Sequence, residues 1–487
     1  MAVNRSPHSL FRQAAIPAFF AVLFPAIAAA SLYAQSSNPT SATNPFYGSV
    51  TAHPASDETL QLSLDDAVRR GLQNNLGLKQ AENGEKALHG EKNEALQLFL
   101  PTVTLTGDTG VYQHNLVALG FGPAAVKEFA RFLPPGVVIP GITRDTLTEG
   151  QIHFKQTLFS GPVFAGYKAA GAGERAAYFA KMSARGEVVQ QVATAYLHAI
   201  ADASQVDDAR ALESADQVLL SQAHAEHEAG TAANLDELRA RVQLQSQQQS
   251  LISAENALDK DLILLKREIG IDPGQKIALT DPAPYSDLAA QTPEEARASA
   301  YRNRQDYQNF QNQLVAYKAI HNAYRAQRLP TLSFNGYYGV SEVASVGSHG
   351  NFMAQGTLSI PIFREARLRG DADAAQAQFS AVDAQLADLR NHIDQQVRSA
   401  LLDVDATAKL VQVSRSNVEL ATRTLSDETD RVNAGVDDNL PLVDAQARLA
   451  SAESNLVESL YQYNLSKLAL ARATGVLEQQ YRVYLGR

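Results

Sequence analysis

A chain of 487 residues with a net charge of −10 can bury a sizeable core and carries no basic footprint for nucleic acid. It has no cysteine, which excludes disulfide staples, thiolate zinc sites and a lipid anchor built on a cysteine after signal cleavage. Tryptophan is absent too, so any aromatic belt must be made from 17 Tyr and 18 Phe.

Residues 1–34 read as an export signal. Arg5 and Arg12 supply the positive start, residues 16–30 an apolar stretch interrupted by Pro17 and Pro25, and Ala28, Ala29, Ala30 or Ala34 a small-residue cleavage site. The rest of the chain is expected to leave the cytoplasm. No later segment approaches 18 consecutive apolar residues, so a membrane role would have to use strands.

From residue 35 the chain repeats itself. Leu64-Asp65-Asp66-Ala67, running to Leu100-Pro101-Thr102, is answered by Pro293-Glu294-Glu295-Ala296, running to Leu329-Pro330-Thr331, at a constant offset of 229. Ala229-Gly230 and Asn234-Leu235 return as Ala434-Gly435 and Asn439-Leu440, and Ile269-Gly270 as Thr474-Gly475, at an offset of 205. The period is far too long for a solenoid, and two packed copies of one unit fit it better. The first copy, 35–271, is expected to hold helices over 65–99, 163–228 and 232–269 and strands over 101–115 and 149–159. A linker over 272–292 leads to the second copy, 293–476, with helices over 293–328, 364–432 and 437–474, strands over 330–342 and 351–363, and a tail over 477–487.

The strand stretches alternate with period two. Val103, Leu105 and Val111 oppose Thr102, Thr104, Thr106 and Asp108, while Ile152, Phe154 and Leu158 oppose Gln151, His153, Lys155 and Thr157. In the second copy Leu332, Phe334, Tyr338 and Val340, then Phe352, Ala354, Leu358 and Ile360, oppose polar partners. Such segments, of about membrane-spanning length, match an outer-membrane barrel with an apolar lipid face. Four strands cannot close a barrel and open edges are not tolerated in lipid, so the chain is expected to oligomerise. Residues 116–148, with Phe132-Leu133-Pro134-Pro135-Gly136, are the insert that separates the two offsets and the expected long outer loop; 343–350 is its short counterpart.

The helical stretches lack proline and carry heptads. Val397, Val404, Val411, Val418, Leu425 and Val432 fall at sevens with Ala400, Thr407, Ser414 and Ala421 three residues after the first four; Leu442, Leu449, Leu456, Tyr463 and Leu470 continue the period with Ala445, Ala452, Ser459, Ser466 and Ala473. This predicts left-handed supercoiling with close approach at the small residues. The first copy keeps Leu244, Leu251, Leu258 and Leu265 but puts Glu213 on its earlier seam. Gly230 and Gly435 are the helix stops at two hairpin tips.

In this order and twice over, the opening motif Leu62-Ser63-Leu64-Asp65-Asp66-Ala67 with Asn74-Asn75, the junctions Leu100-Pro101 and Leu329-Pro330, the exit Leu358-Ser359-Ile360-Pro361-Ile362-Phe363 and the glycine tips resemble the TolC-like outer membrane efflux protein family. The resemblance implies a mainly α fold with a membrane β-barrel part: a homotrimer whose twelve-stranded barrel continues into a helical periplasmic tunnel. It also implies a cell outer membrane location with a long periplasmic extension, no cofactor and no enzymatic activity. The expected role is an exit duct for efflux or type I secretion. Its partners would be outer membrane lipid, a periplasmic adaptor protein and an inner-membrane transporter of RND, ABC or MFS type. The adaptor would meet the tips Ala229, Gly230, Thr231 and Ala434, Gly435, Val436.

For the gate, the resemblance places Asp444 at the family's pore constriction and Asp236 in its gate network. Three copies of Asp444 around one axis would raise one another's pKa and attract cations. The chain departs from the family elsewhere: Asp437 stands where a gate Arg is found, Val432 where a gate Tyr is found, and Pro441 in place of a second Asp. The gate is therefore expected to open readily or to be held by other contacts. His224 and His227, beside Glu226 and Glu228, sit at helical spacing near the first tip and are expected to be a solvated face and no metal site, for want of a third ligand. A passive porin has no use for helices roughly 100 Å long, and a periplasmic coiled-coil scaffold has none for the paired strands.

Overall fold

The computed structural model describes residues 44–50, 54–129, 132, 134, 139–230, 233–282, 285–289, 291–343, 347–434 and 439–486. The expected signal over 1–34, and Thr231, Gly435, Val436 and Asp437 at the tips, lie outside the described residues. In chain order the elements begin with β1 (Leu60–Leu62), α1 (Leu64–Asn74), α2 (Leu76–Gln97), β2 (Thr102–Asn115), α3 (Pro123–Phe129) and β3 (Ile142–Phe159). The first long hairpin follows, α4 (Gly161–Glu228) and α5 (Asn234–Ile269), then β4 (Ile277–Leu279), α6 (Pro293–Asn303) and α7 (Gln305–Ala326). The last elements are β5 (Thr331–Val343), β6 (Gly347–Ser359), α8 (Glu365–Asn433), α9 (Asn439–Ala473) and α10 (Leu477–Leu485). They divide into two compact units, one of 88–172 with 314–380, the other of 173–313 with 381–487 and the described part of 25–87.

In the first unit the four long strands form one antiparallel sheet in the order β2-β3-β5-β6. Register turns the alternation of each strand into rows. Leu105 faces Ile152, Ile152 faces Tyr338 and Tyr338 faces Phe352, an apolar row crossing the whole sheet. The neighbouring row, Thr106, Gln151, Gly339 and Asn351, points to the opposite face. The apolar row is bare on the single chain, Leu105 being 78% and Phe352 76% exposed. Covering such side chains contributes about 1.5–3 kcal/mol each, so the sheet demands an apolar surrounding. Gly339 is required by this packing, since a Cβ there would lie 2.3 Å from the Gly150 carbonyl oxygen.

Several strand boundaries differ from expectation. β3 starts at Ile142, not 149, because Arg144 and Thr146 continue the pairing with Gln113 and Val111; the insert shrinks to 116–141 and contains α3. β6 starts at Gly347 and stops at Ser359, so most of the loop expected over 343–350 is strand and 360–363 is not. Ile362 and Phe363 are almost fully exposed just past the strand. A bulge between Thr157 and Phe159 passes over Leu158. β5 reaches only to the level of Leu147, which leaves the outer part of the β2–β3 pair standing beyond the sheet.

In the second unit two expected helices prove to be four. The helix expected over 65–99 breaks at Asn75, which leaves the helix in an extended conformation; its Oδ1 then accepts the Leu78 N–H at 3.2 Å and caps α2, while its amide donates to the Phe46 carbonyl oxygen. The helix expected over 293–328 breaks at Arg304, which stands at the same repeat position, 229 residues later. Arg304 pairs with Asp306 at 2.6 Å and reaches the Ala473 carbonyl oxygen, the end of α9. Gly475, at φ +78°, lies against this break, where a Cβ would meet the Arg304 nitrogen at 2.6 Å. Ser63 caps α1, and Thr292 with Glu295 forms a capping box on α6.

The linker expected over 272–292 is structured. Its β4 pairs in parallel with β1, and Asp281 accepts the Leu64 N–H at 2.7 Å. Farther on, Leu288 donates to the Tyr463 hydroxyl, the Arg415 guanidinium stacks on the Tyr285 ring at 3.6 Å, and Lys467 donates to the Ser286 carbonyl oxygen. The expected tail is also a helix: Leu477, Tyr481, Tyr484 and Leu485 of α10 are buried in the core with Leu62, Leu64, Val188, Val192 and Tyr196. Among the described residues, no helix is long and apolar enough to cross a membrane.

Candidate functional site at the hairpin tips

At 68 and 69 residues α4 and α8 are each roughly 100 Å long, and α5 and α9 run back along them. In the second hairpin the seam read from the heptads is a row of hydroxyl pairs. Thr407 meets Ser466 at 2.9 Å and Ser414 meets Ser459 at 2.8 Å, so each satisfies its partner and lets the helices approach closely. The first hairpin uses charge in its place. Arg210 pairs with Glu255 at 2.7 Å, and Glu213 accepts from Gln248 at 3.2 Å.

The two hairpins meet near their tips in a small apolar cluster: Leu219 and Ala223 from α4, Ala240 from α5 and Leu442 from α9, with Leu425, Val432 and Val443 packed against it. Val432, expected at a gate position, packs here against that cluster. At the first tip α4 closes with Ala229 and Gly230 donating to the Ala225 and His227 carbonyl oxygens, Gly230 at φ +72°. At the second, Ala434 donates to the Asp430 carbonyl oxygen.

Asp236 and Glu237 occupy the first turn of α5, where the helix dipole favours acids in the absence of a side-chain cap. Asp236 pairs with Arg239 at 3.2 Å and lines a cleft of about 350 Å³ with Leu235, Leu238, Val242 and Val443. This cleft brings Asp236 to the residue preceding Asp444. Asp444 itself is exposed and pairs with Arg448 one turn on, at 2.7 Å. The sequence reading missed Arg448, whose i, i+4 spacing was the available signal. The pair sets a cation beside Asp444. His224 lies 3.5 Å from Glu228 and 3.4 Å from the buried Glu237, which Arg241 also holds at 2.8 Å.

The model of the outer membrane efflux protein family matches residues 67–270 and 296–476, the two expected copies less their first residues and most of the chain. The chain belongs to the outer membrane efflux protein family. This efflux protein is 25% identical over 297 residues to the toluene efflux pump outer membrane protein TtgF of Pseudomonas putida, covering 59% of the chain and 60% of TtgF. It is 22% identical over 307 residues to TolC of Escherichia coli, covering 60% and 62%. These matches span less than two thirds of either relative. Among solved structures, a membrane protein from Pseudomonas aeruginosa superimposes with a TM-score of 0.71 at 21% identity over 85% of this chain and 93% of that one. The efflux protein therefore has the fold of outer-membrane channels, mainly α with a membrane β part, and resides in the outer membrane.

Farther from the tips, the first hairpin of the efflux protein buries acids that the sequence reading did not single out. Asp202 on α4 has its carboxyl pushed up to about 6, first by burial and then by the Asp261 carboxylate of α5, against the opposing pull of His198. Asp261 also contacts His198, whose ring stands edge-on to Tyr461 at 5.1 Å. Burial drives Glu268 up to about 8, so it is protonated at neutral pH, and drives Tyr461 up to about 12. Among the described residues, His198, Asp202 and Asp261 are the one group with metal-ligand geometry.

Proposed function

We propose that the chain is the outer-membrane exit duct of a tripartite efflux system, three copies closing a twelve-stranded barrel and a helical tunnel gated at the hairpin tips. The carrying observation is the apolar row Leu105, Ile152, Tyr338, Phe352 on a four-stranded sheet with open edges at β2 and β6, in a chain whose helices are far too long for a porin. Lipid must cover the row and other copies must cover the edges. Exposed Leu235, Leu238 and Val242 on α5 give the first hairpin an apolar side for a neighbouring copy. A periplasmic adaptor would meet the tips at Ala229, Gly230, Thr231, Ala434, Gly435 and Val436, coupling the duct to an energised inner-membrane pump. Asp444, Asp236 and Asp437 would line the constriction, the first two partly neutralised by Arg448 and Arg239.

The test is expression in a Gram-negative strain lacking its own efflux duct but keeping its adaptor and inner-membrane pump. Outer-membrane fractionation, a heat-modifiable trimer and restored resistance to a pump substrate are expected. A trimer that conducts freely in planar bilayers without adaptor or pump would make it a passive porin; recovery only in the soluble periplasmic fraction would make it a scaffold. Export of a protein in place of small molecules would redirect the reading to type I secretion.

A further inference from the structure

The first hairpin holds two carboxylates where the second holds two hydroxyls. Asp202 and Asp261 stand 205 residues before Thr407 and Ser466, the repeat offset of this part of the chain. Thr407 and Ser466 satisfy each other as a neutral hydrogen bond at 2.9 Å. Two ionised carboxylates in the same place cannot, because each offers only acceptors; a shared proton or a cation must stand between them. His198, one turn before Asp202, provides an imidazole nitrogen against Asp261. One ligand atom from each of the three residues lies within 4.8 Å of the others. Ligands held around a common zinc ion lie about 3.4 Å apart, so small side-chain rotations that part His198 from Asp261 and draw Asp202 in would complete the set.

Two further observations point to a ligand. Asp202 is only 8% exposed, yet its Oδ2 has no hydrogen-bond partner and lies 3.8 Å from His198 Nδ1. Glu268, 1% exposed, also leaves Oε2 unpartnered and lines the same cavity of about 420 Å³ as His198, Asp261, Glu187 and Tyr461. This cavity has room for the waters that would complete a coordination shell, and the half-exposed His198 ring gives an ion a way in.

We infer that His198, Asp202 and Asp261 form a binding site for a first-row divalent transition-metal ion of the zinc class, which ties α4 to α5 in the first hairpin. One imidazole with two carboxylates suits zinc, cobalt or manganese better than calcium, which prefers an all-oxygen shell of six or more. The second hairpin needs no such tie at this level.

The full-length trimer in detergent, stripped with EDTA and exchanged into chelator-free buffer at pH 7.5, is titrated with zinc chloride by calorimetry and with cobalt chloride by visible absorption. One ion per chain is expected, with a cobalt spectrum showing nitrogen ligation. Asp261→Asn and His198→Gln should each weaken zinc binding at least about tenfold, and the paired His224→Gln, His227→Gln variant should leave it unchanged. Should either single variant fold poorly, Asp202→Thr with Asp261→Ser supplies the pair that the second hairpin already tolerates. Zinc should also slow amide exchange around 198–202 and 258–264 in the parent alone. Absence of saturable binding, or binding that survives Asp261→Asn and is lost with His224 and His227, overturns the site.

Discussion

The two long hairpins share a backbone plan and differ in what they bury. Along its seam hairpin α8–α9 pairs small neutral groups, Thr407 with Ser466 and Ser414 with Ser459, and has Ala473 where the other copy has Glu268; it also buries Lys467, which burial lowers to about 8. Hairpin α4–α5 buries acids: Asp202, Asp216 and Glu268, each raised by burial, with Glu213 where the other has Val418. A neutral seam is indifferent to its medium, whereas a seam of buried acids responds to pH and to cations. The duplication thus leaves one hairpin seam neutral and makes the other conditional.

The largest expected effect comes from Glu268→Gln. With a native pKa of about 8 against an ordinary value of 4.5, the protonated native form is favoured. That contribution is fully present below about pH 4.5 and lost as pH rises through 8. The variant should gain up to about 5 kcal/mol over the parent above pH 8 and almost nothing at pH 4. Thermal unfolding of the trimer between pH 4 and 9 checks this; equal gains at both ends would remove the contrast between the hairpins. Next, Leu442→Ala should cost about 3 kcal/mol at the tip cluster that joins the hairpins, read as faster amide exchange at both tips. If exchange rises in α9 alone, the cluster does not couple them.

Transplanting the acids is a sharper test. Thr407→Asp with Ser466→Asp should destabilise the second hairpin by about 2 kcal/mol at pH 8, because a satisfied hydroxyl pair becomes two acceptors. The loss should shrink toward pH 5 as one carboxyl takes a proton. The smallest effect is at the constriction: Asp444→Ala removes an exposed i, i+4 pair worth a few tenths of a kcal/mol and should leave stability alone while lowering cation selectivity in planar bilayers. Arg448→Ala should raise that selectivity. Movement of both variants in the same direction would count against Asp444 as the selecting group.

The repeat, the strands and the hydroxyl seam were legible because each follows a period that side chains must obey: two for strands, seven for the coil. Asn75 and Arg304 were not read as breaks, since one residue leaving the helix changes no period; the capping ability of Asn75 was the only local sign. The start of β3 was missed because the polar run from Thr143 to Thr146 hides the alternation. Asp444 was singled out through family resemblance alone and its place at a constriction is a proposal, while Arg448 was missed although its i, i+4 spacing was readable. The acids of the first hairpin were visible at helical spacing, but only the alignment of Asp202 and Asp261 with Thr407 and Ser466 gives them meaning.

The part of β2 and β3 that stands beyond β5 has an outward consequence. Five residues of β3, Ile142 to Thr146, precede the level of Leu147, a rise of roughly 17 Å. In a trimer these spurs would recur every 120° and alternate with the low β5–β6 turns. A reagent that recognises the paired residues 111–115 and 142–146 would then find three such sites on each trimer.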